Sequence, residues 1–586
     1  MSLSIVYSRA LVGVDAVEVT VEAHLSNGLP GFAIVGLPET AVKEAKERVR
    51  SAILNSGLEF PARRITLNLA PADLPKAGGT YDLAIAMSVL QASGQLPETV
   101  LVDTELMGEL ALNGELRFVR GVLAATIAAK KQDRTIFVPA ENHSELQLTA
   151  YSKGHSCKSL LDVVSLVSKG PSDLEANGDL GLGKHVGKGL NRSLDKSLDK
   201  SLDKSPDRRI DKCADDSVND STGKSVNDSA DEANNINSKR CKSSELSSYP
   251  TERNRPGLAF LKIASTNEAD IEDEIKGQAI AKFAVKVAAA GQHNLLLIGP
   301  PGCGKTLLAN RLIQLLPPLS NDDAMEVASI RSVAGFATTL ANCFSRPVRT
   351  PHHTATAVSL LGGGVKAMPG EISFAHHGLL FLDELTEFKR GVLESLREPL
   401  ETGEIYITRA NYRVRFPANF QLIGAMNPCP CGYSGDVKRQ CRCSTELIDR
   451  YLAKLSGPLL DRFDLIVELP GLSQTELLLQ PSSGRNPAAE QQEIVEVQAL
   501  QIHRNKVLNS RIKTADLPEI CTLSKSQKLT LARKLDVLGV SSRTTHRIIK
   551  VARTIADLQS SEKIEDAHLN KALMLRRSRL VNRTID

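Results

Sequence analysis

The sequence predicts a multidomain α/β protein, and three observations lead to this prediction. The chain has 586 residues, about four times the roughly 150 residues of a typical domain. Apolar runs in its second half each lead into loop and helix signals, as in HNLLLIG, GLLFLDE and FQLIGAMN, and this pattern is typical of a parallel sheet. From about Ala488 onward only helical periodicity remains, which indicates a helical region.

Bulk composition excludes several classes of protein. Hydrophobic residues make up 42% and charged residues 24%, so we expect ordinary globular cores. A net charge of +4 over this length is too small to argue for a nucleic-acid partner. Neither a secretion signal nor a stretch of about 18 apolar residues is visible, so we expect a cytoplasmic protein without membrane contact. Ten Cys in so long a chain indicate a reducing compartment.

The chain divides into four predicted parts. Residues 1–168 combine strand alternation, as in VDAVEVTVEAHL, with an amphipathic helix that ends near Gly57, and predict an α+β domain. Residues 169–257 are rich in Ser, Asp, Lys and Asn and repeat SLDK, which predicts a disordered linker, with a solvated amphipathic helix as the alternative. Residues 258–475 and 476–586 are the predicted α/β core and helical region.

The segment LLLIGPPGCGKTLLANRLI places GxxxxGK and a Thr between a strand and a helix, the context that identifies a P-loop. In such a loop, backbone N–H groups wrap phosphates at a helix N-terminus. Lys305 would reach the β and γ phosphates, and the hydroxyl of Thr306 would ligate Mg²⁺. The predicted cofactors are therefore ATP and Mg²⁺. The predicted nucleotide-binding residues are Gly299, Pro300, Pro301, Gly302, Cys303, Gly304, Lys305 and Thr306.

Downstream residues supply candidates for hydrolysis. Asp383, after the apolar run GLLFL, would hold Mg²⁺ through water, and Glu384 would polarise the attacking water. A buried strand with a solvated acidic end is the alternative, which the upstream P-loop disfavours. Asn427 ends another strand, where its amide would contact the γ-phosphate or the water, unless it only forms an Asn-Pro turn. Arg462 and Arg543 are further candidates, each with a surface salt bridge as the alternative.

These motifs resemble those of the magnesium-chelatase-like AAA+ ATPases of the YifB/ComM family. The resemblance rests on GPPGCGKT, RPVRTPHHTATAVSLLGGG, PGEISFAHHGLLFLDELTEF, NPCPCGY, SGPLLDRFD and VARTIADL, in this order. It implies an AAA+ core with magnesium-chelatase-type insertions, a C-terminal helical lid and assembly into a ring, expected to be hexameric. It also implies that Arg462 is an arginine finger that reaches the neighbouring subunit's γ-phosphate, and that Arg543 is the second sensor.

The run EIYITRANYRVRF predicts a β-hairpin before Asn427. In related AAA+ helicases an insertion at this place projects into the ring channel and holds nucleic-acid backbone, so the resemblance implies DNA contact by Arg409, Arg413 and Arg415. A solvated hairpin face is the alternative. Lys366, beside a Gly-rich turn, belongs to the other inserted element of the family and is a further DNA candidate. The basic segment from Lys525 onward is a competing site.

Four cysteines crowd into fifteen residues: Cys429, Cys431, Cys441 and Cys443. Four thiolates can converge on one tetrahedral Zn²⁺ in a closed structural site. Two CxC pairs are less diagnostic than two CxxC pairs, so free or redox-active thiols are the alternative. The paired histidines in PHHT and AHHG are interpreted as polar contacts rather than metal ligands.

The N-terminal part resembles the proteolytic domain of Lon, a ribosomal-protein-S5-type fold with a catalytic Ser and Lys. The resemblance rests on LAPADLPKAGGTYDLAIAMSVL and MGELALNGELRFVRGVLAATIAA. Thr80 stands where the nucleophilic Ser would fall, and Leu123 or its neighbours fill the stretch where the Lys belongs. Because a hydroxyl without a base is a poor nucleophile, we expect an inactive Lon-like domain that serves assembly or substrate contact.

Three functional hypotheses follow from these resemblances. The leading one is a DNA helicase or branch-migration translocase in recombination and natural transformation, with DNA, its own copies and recombination proteins as partners. The alternative is a remodelling ATPase that acts on a protein or a tetrapyrrole-metal partner, as magnesium chelatase does. The third is an ATP-dependent protease, which the missing catalytic dyad disfavours.

Overall fold

The structure is a computed structural model, and it describes most of the chain outside the predicted linker. The described ranges are 3–36, 40–74, 76, 78–168, 277–364, 367–409, 412–436, 439–471, 487–538 and 541–576. The predicted linker at 169–257 and the predicted DNA contact Lys366 lie outside them. The N-terminal domain and the ATPase core belong to one structural unit.

The N-terminal domain is built on a seven-stranded mixed sheet with the strand order β3-β4-β2-β1-β5-β8-β9. Along β2 the alternate residues Val19, Val21 and Ala23 are fully buried, so the strand predicted from VDAVEVTVEAHL is confirmed. The strands are β1 Leu3–Val12, β2 Asp15–Ser26, β3 Gly31–Val35, β4 Arg64–Ala70, β5 Thr104–Leu106, β6 Glu109–Leu110, β7 Leu116–Arg117, β8 Thr135–Pro139 and β9 Gly154–Cys157. Strands β6 and β7 form a separate hairpin.

Helices cover this sheet and complete its core. The second helix is buried along its whole length. Its residues Leu83, Ile85 and Met87 have no solvent contact and belong to the apolar core of this domain. The first helix ends just before Gly57, as predicted. The helices are α1 Thr40–Asn55, α2 Asp82–Ala92, α3 Val122–Lys131, α4 His143–Thr149 and α5 Leu160–Ser168, with a 3₁₀ turn at Ala140–Asn142.

The α/β core contains a five-stranded parallel sheet with the order β11-β14-β17-β10-β18. The three predicted strands are confirmed as β10, β14 and β17, and all their residues are buried, as expected where helices cover both faces. Two hairpins extend from the core. The strands are β10 Leu295–Ile298, β11 Val348–Arg349, β12 Gly362–Gly363, β13 Met368–Pro369, β14 Leu379–Leu382, β15 Glu404–Arg409, β16 Tyr412–Pro417, β17 Gln421–Met426 and β18 Leu465–Glu468.

The carboxyl-terminal part is helical, as predicted, and packs against the first helix of the core through a shared apolar cluster that includes Ala284, Ala288, Ile548 and Val551. Among the described residues, no helix has both the length and the apolar character of a membrane span.

The helices of the core are α6 Ala279–Gly291, α7 Lys305–Leu315, α8 Asn321–Ala334, α9 Ala357–Leu361, α10 Glu371–Phe374, α11 Arg390–Ser395, α12 Arg397–Thr402, α13 Thr445–Leu452 and α14 Gly457–Leu460, with a 3₁₀ turn at Leu385–Glu387. The helices of the carboxyl-terminal part are α15 Pro487–Asn505, α16 Leu517–Ile520, α17 Lys525–Leu538, α18 Ser542–Leu558 and α19 Asp566–Met574, with a 3₁₀ turn at Asn509–Arg511.

Described residues of the N-terminal domain contact both the α/β core and its second hairpin. The backbone N–H groups of Gly121 and Leu123, at the start of α3, donate to the carbonyl and the hydroxyl of Ser332 at distances of 3.1 and 3.3 Å. The turn between β1 and β2 lies against the hairpin β15–β16, where a methyl group at Gly13 would lie 2.5 Å from the carbonyl oxygen of Arg415. The domain therefore contacts both the core and the hairpin predicted to bind DNA.

Candidate nucleotide-binding and hydrolysis site

The P-loop connects β10 to α7 at the carboxyl edge of the parallel sheet. Gly304 is the residue that precedes α7, and its φ of 88° is one that side chains other than glycine rarely allow. A methyl group at Gly302 would meet no atom within 4 Å, so the loop is open on that side. An open loop at a helix N-terminus is the form that accepts a phosphate chain.

Lys305 connects the P-loop to the neighbouring strand. Its Nζ donates to the carbonyl oxygens of Gly299 and Pro300, at 2.8 and 3.1 Å, and to Oδ1 of Asn427 at 3.0 Å. Asn427 directly follows β17, which pairs with β10 in parallel. The structure therefore brings together the two residues that the sequence places at the γ-phosphate.

Thr306 and Asp383 lie next to each other at the carboxyl ends of the strands. The hydroxyl of Thr306 donates to Oδ2 of Asp383 at 3.3 Å, and Oδ1 of Asp383 accepts the backbone N–H of Glu384 at 2.9 Å. A hydroxyl and a carboxylate are hard oxygen donors of the kind that Mg²⁺ prefers. The residues present therefore fit the predicted magnesium site.

Glu384 has a left-handed backbone conformation, with φ of 51°, and its carboxylate turns toward the loop that follows β11. Its Oε2 lies 3.3 Å from Nδ1 of His353. The side chain of Glu384 is 58% exposed, so it is accessible to water at the mouth of the site. The sequence predicted that the PHHT histidines make polar contacts, but it gave no sign that Glu384 would be the partner.

Buried packing fixes the first part of the P-loop. The carbonyl of Cys303 accepts a hydrogen bond of 2.6 Å from Nε2 of Gln278, and burial raises the pKa of the Cys303 thiol. A methyl group at Gly299 would lie 2.7 Å from Sγ of that cysteine, so Cys303 fills the space beneath the loop. Cys303 thus supports the loop from inside, whereas the open side carries Gly302.

The two candidate arginines of the hydrolysis site come together on one carboxylate. Nη2 of Arg462 forms an ion pair with Oε1 of Glu401, and Nη1 of Arg543 lies 3.7 Å from the same oxygen. Arg462 is only 3% exposed, whereas Arg543 is 66% exposed. Sequence analysis singled out both arginines but not Glu401.

Arg462 lies at the amino ends of the strands of this sheet, whereas the P-loop lies at their carboxyl ends. It precedes β18, and its backbone carbonyl accepts a 2.9 Å hydrogen bond from Nδ2 of Asn294, the residue before β10. Five residue steps of extended chain lead from Asn294 to Gly299, a span of about 16 Å. The backbone of Arg462 therefore lies about that far from the P-loop of its own subunit.

A buried charge network holds this amino edge to the C-terminal helices. Asp464 accepts hydrogen bonds from the backbone N–H of Asn294, at 2.9 Å, and from Nη1 of Arg547 in α18, at 2.6 Å. Burial opposes the charge on Asp464, but Arg547 and His293 hold the pKa of its carboxyl well below the usual range. The helical region is thus attached next to Arg462.

The predicted hairpin is confirmed as β15 and β16, in the register Tyr406 opposite Arg415 and Thr408 opposite Arg413. Alternate residues such as Ile405 are buried in the core. On the outward face, the guanidinium of Arg413 lies 4.1 Å from the ring centre of Tyr406, and Arg415 forms a 3.3 Å ion pair with a neighbouring Glu. Arg409 ends β15, but its side chain lies outside the described part of the structure.

The four clustered cysteines converge as predicted. Their sulfur atoms all lie within 4.8 Å of one another, and Sγ of Cys429 lies 3.3 Å from that of Cys431 and 3.7 Å from that of Cys441. Four sulfurs at about 2.3 Å from a tetrahedral Zn²⁺ would be about 3.8 Å apart, whereas a disulfide would require about 2.05 Å. The donor set therefore fits a zinc ion.

The paired histidines of AHHG form a different cluster with a carboxylate. Nε2 of His376 and Nε2 of His377 lie 2.9 and 3.0 Å from the same oxygen of Glu326. Nδ1 of His376 accepts the backbone N–H of Asn419 at 3.0 Å, so the proton of the neutral ring is on Nε2. That nitrogen donates to Glu326 and has no lone pair for a metal. Both histidines make polar contacts with Glu326, and the prediction that they are not metal ligands stays a prediction.

Of the two predicted protease positions, Thr80 is half-buried and Leu123 is buried. Leu123 is fully buried, and its backbone N–H donates to Ser332. Lys76 of the PKAGGT segment is also fully buried, with Nζ donating to the carbonyls of Gly36, at 3.0 Å, Leu74, at 3.2 Å, and Pro71. Three carbonyl oxygens therefore occupy the Lys76 ammonium, and burial lowers its pKa. That the domain lacks protease activity stays a prediction.

Comparisons with known proteins agree with this geometry. Family models of the magnesium chelatase subunit ChlI match residues 21–142 and 270–477, and the model of its C-terminal part matches 484–576. The chain is 42% identical to the competence protein ComM of Haemophilus influenzae, over 98% of this chain and 97% of that protein. It belongs to the ComM/YifB family of magnesium-chelatase-like proteins. Membership supports an AAA+ ATPase that uses a nucleotide and Mg²⁺ at the P-loop.

Two further relatives define the extent of the similarity. The YifB protein of Salmonella typhimurium is 41% identical over 98% of this chain and 97% of its own length. The magnesium-chelatase 38 kDa subunit of Rhodobacter capsulatus is 27% identical over only 33% of this chain and 54% of that subunit. The similarity to ComM and YifB therefore extends over nearly the whole chain, whereas the similarity to this chelatase subunit is partial.

Proposed function

We propose that the protein is a ring-forming AAA+ ATPase that couples ATP hydrolysis to translocation along DNA, as a helicase or branch-migration enzyme in recombination and natural transformation. The observation that carries the proposal is the outward face of the hairpin β15–β16, where Arg413, Arg415 and Tyr406 lie side by side on the ATPase core. Arginine contacts to phosphates and aromatic stacking on bases hold nucleic acid without sequence preference. The name of the relative ComM, a competence protein, supports the same direction.

The chain's own residues then divide the work of hydrolysis. Lys305 and the P-loop backbone bind the phosphates of ATP, and Asn427 holds the Lys305 ammonium in place. Thr306 and Asp383 would hold Mg²⁺, which screens the phosphate charge when it is bound. Glu384 orients the attacking water and accepts its proton.

Turnover requires a second subunit in this proposal. Arg462 lies at the sheet edge opposite its own P-loop, so it can reach only a neighbour's nucleotide. Arg543 shares Glu401 with Arg462, and we assign both arginines to the same neighbouring site. Because Glu401 covers Arg462 in the single chain, subunit contact must free the guanidinium before it reaches the phosphate. Hydrolysis would then depend on assembly.

The N-terminal domain is proposed to assist the ring rather than to cleave peptides. Its β1–β2 turn packs directly on the hairpin, with Gly13 in contact with the backbone of Arg415. Leu123 occupies the protease lysine position and is buried at the junction with Ser332. We propose an inactive Lon-like domain that positions the hairpin. A structural Zn²⁺ held by the four clustered cysteines completes the proposal.

The test is the response of ATP hydrolysis to different partners. DNA should raise the rate, whereas a porphyrin or an unfolded protein should not. A response to porphyrin alone would favour the chelatase-type remodelling function, and a response to unfolded protein alone would favour a protein-remodelling function.

A further inference from the structure

We infer that the cysteine loop holds the P-loop in its nucleotide-binding form, so that zinc occupancy and ATP affinity are coupled. The cysteine loop is defined here as residues 428–443, which run from the end of the Asn427 strand to the helix α13. The inference deepens the proposed nucleotide site and rests on it. It adds a control of ATP binding by a metal that takes no part in the reaction.

The first observation is direct contact between the cysteine loop and the P-loop. Gly432 has a φ of 84°, and a methyl group at this position would lie 2.6 Å from Cδ and 2.9 Å from Cγ of Pro301. Its backbone N–H donates to the carbonyl of Cys429 at 2.9 Å, which closes a tight turn next to the first two sulfur ligands. The turn that presents Cys429 and Cys431 therefore also presents its backbone to Pro301.

The second observation is that the cysteine loop starts at the partner of Lys305. Asn427 accepts the Lys305 ammonium at 3.0 Å and stands two residues before Cys429. Cys429 is fully buried, so it fixes the end of β17 from which Asn427 projects. The loop thus contacts the P-loop at Pro301 and follows directly after Asn427, which accepts the hydrogen bond from Lys305.

The third observation concerns what holds the cysteine loop itself. Between Met426 and Thr445, the described residues form no helix or strand, so backbone ladders do not fix their conformation. Four thiols within 4.8 Å of one another join the two ends of the loop, and Arg439 adds a 2.6 Å hydrogen bond to the hydroxyl of Tyr433. Metal binding to such a segment fixes its conformation, because the ligands are not preformed without the metal. Metal binding would therefore help to hold Gly432 against Pro301.

Coupling between two binding sites is reciprocal. If zinc holds the P-loop in its binding form, ATP must also hold the zinc more tightly, by the same factor. Coupled sites commonly change each other's affinity by about 5- to 150-fold. Loss of zinc should therefore weaken ATP binding within this range.

The experiment uses full-length protein, metal analysis and the binding of a fluorescent ATP analogue without Mg²⁺, so that zinc chelation does not affect a second metal. We expect about one zinc per chain. We expect Cys441→Ala with Cys443→Ala to lose the zinc and to bind the analogue at least about fivefold more weakly. Cys343→Ala, which removes a buried thiol outside the cluster, should keep both properties.

A pair of glycine variants separates the contact from the metal. Gly432→Ala introduces a methyl group against Pro301, whereas Gly435→Ala introduces the same group at a φ of 81° with no atom within 4 Å. The backbone strain is matched, so only the contact differs. We expect both variants to keep zinc and only Gly432→Ala to lose ATP affinity.

Three results would overturn the inference: no zinc in protein prepared under reducing conditions, unchanged affinity after zinc loss, or equal affinities for Gly432→Ala and Gly435→Ala. Failure of the wild-type protein to bind the analogue would overturn the proposed function as well, and this distinguishes the two failures. Slower zinc release to a chelator in the presence of ATP would support the inference, and an unchanged release rate would contradict it.

Discussion

Nζ of Lys305 lies 3.0 Å from Oδ1 of Asn427, although the two residues are 122 positions apart in the chain. The contact exists because β10 and β17 are neighbours in a parallel sheet, so that both residues follow the carboxyl end of a strand. The ammonium predicted to bind phosphate is thus held by the amide predicted to contact the γ-phosphate. The same edge carries Thr306, Asp383 and Glu384.

The first prediction separates ATP binding from ATP hydrolysis. Lys305→Ala should abolish ATP binding, because the variant loses the cation that reaches the β and γ phosphates. Glu384→Gln should keep ATP binding and lose hydrolysis, because the amide retains the shape of the side chain but accepts no proton from water. Nucleotide binding and phosphate release would be measured on both variants. Hydrolysis by Glu384→Gln at the normal rate would show that Glu384 does not activate the water.

The second prediction tests the arginines at the amino edge of the sheet. Arg462→Ala should bind ATP nearly normally and lose about 10³- to 10⁵-fold in turnover, the usual value of an arginine finger. When it is mixed with Lys305→Ala subunits, some activity should return, because some interfaces then join an intact P-loop to an intact arginine. Arg543→Ala should behave in the same way in the mixture. No recovery at any mixing ratio would contradict a role across the subunit interface.

The third prediction concerns the face of the hairpin that is proposed to bind DNA. Replacing Arg413 and Arg415 with Ala should weaken DNA binding and flatten its salt dependence, by about 0.7 to 0.9 in slope for each lost phosphate contact. DNA affinity would be measured at several salt concentrations. The control is Arg63→Ala with Arg64→Ala, which removes the same charge from exposed positions in the N-terminal domain. Equal salt slopes for the two double variants would rule out the hairpin as the phosphate-binding element.

The C-terminal helices are the competing DNA site, and the structure limits what they offer. Arg576 is 9% exposed and donates to the carbonyl of Phe463, and burial lowers the pKa of its guanidinium to about 10. Lys525 and Lys528 begin α17 on the exposed side of the helical region. A slope reduced by Lys525→Ala with Lys528→Ala, but not by the hairpin variants, would place DNA on these helices.

The fourth prediction is a pH dependence of stability. Hydrogen bonds from His376 and His377 lower the pKa of Glu326 to about 2, from an ordinary value of 4.5. A carboxyl with a lowered pKa stabilises the fold above its unfolded value and loses this contribution as the pH falls through the folded value. The free energy of unfolding of the wild type should therefore approach that of Glu326→Gln as the pH falls from about 4.5 toward about 2. Urea unfolding would measure it, and a constant difference would contradict the assignment.

The sequence predicted those parts of the site that local signals determine. Glycine spacing marks the P-loop, and the apolar runs before Asp383 and Asn427 mark the ends of buried strands. Their meeting at one edge follows from parallel strand packing. The hairpin was also predictable from a local signal, because its two alternating runs are adjacent in the chain.

Contacts that depend on the tertiary fold could not be predicted in this way. Glu401 joins Arg462 and Arg543, which are far from it in the chain, and only the packing of α12 and α18 brings the three together. His353 reaches Glu384 because β11 and β14 are neighbouring strands, although pairing of the histidines gave no sign of it. Lys366 and the side chain of Arg409 lie outside the described structure, so their DNA contacts stay predictions.

The most direct test of DNA-coupled ATP hydrolysis is the rate of phosphate release by the wild-type protein with and without DNA, with the Arg413 and Arg415 double variant alongside. We predict that DNA raises the wild-type rate, that the double variant keeps the DNA-free rate, and that it responds to DNA only at much higher concentration. A wild-type rate that no DNA changes, while a porphyrin or an unfolded protein raises it, would contradict the proposal that this ATPase acts on DNA.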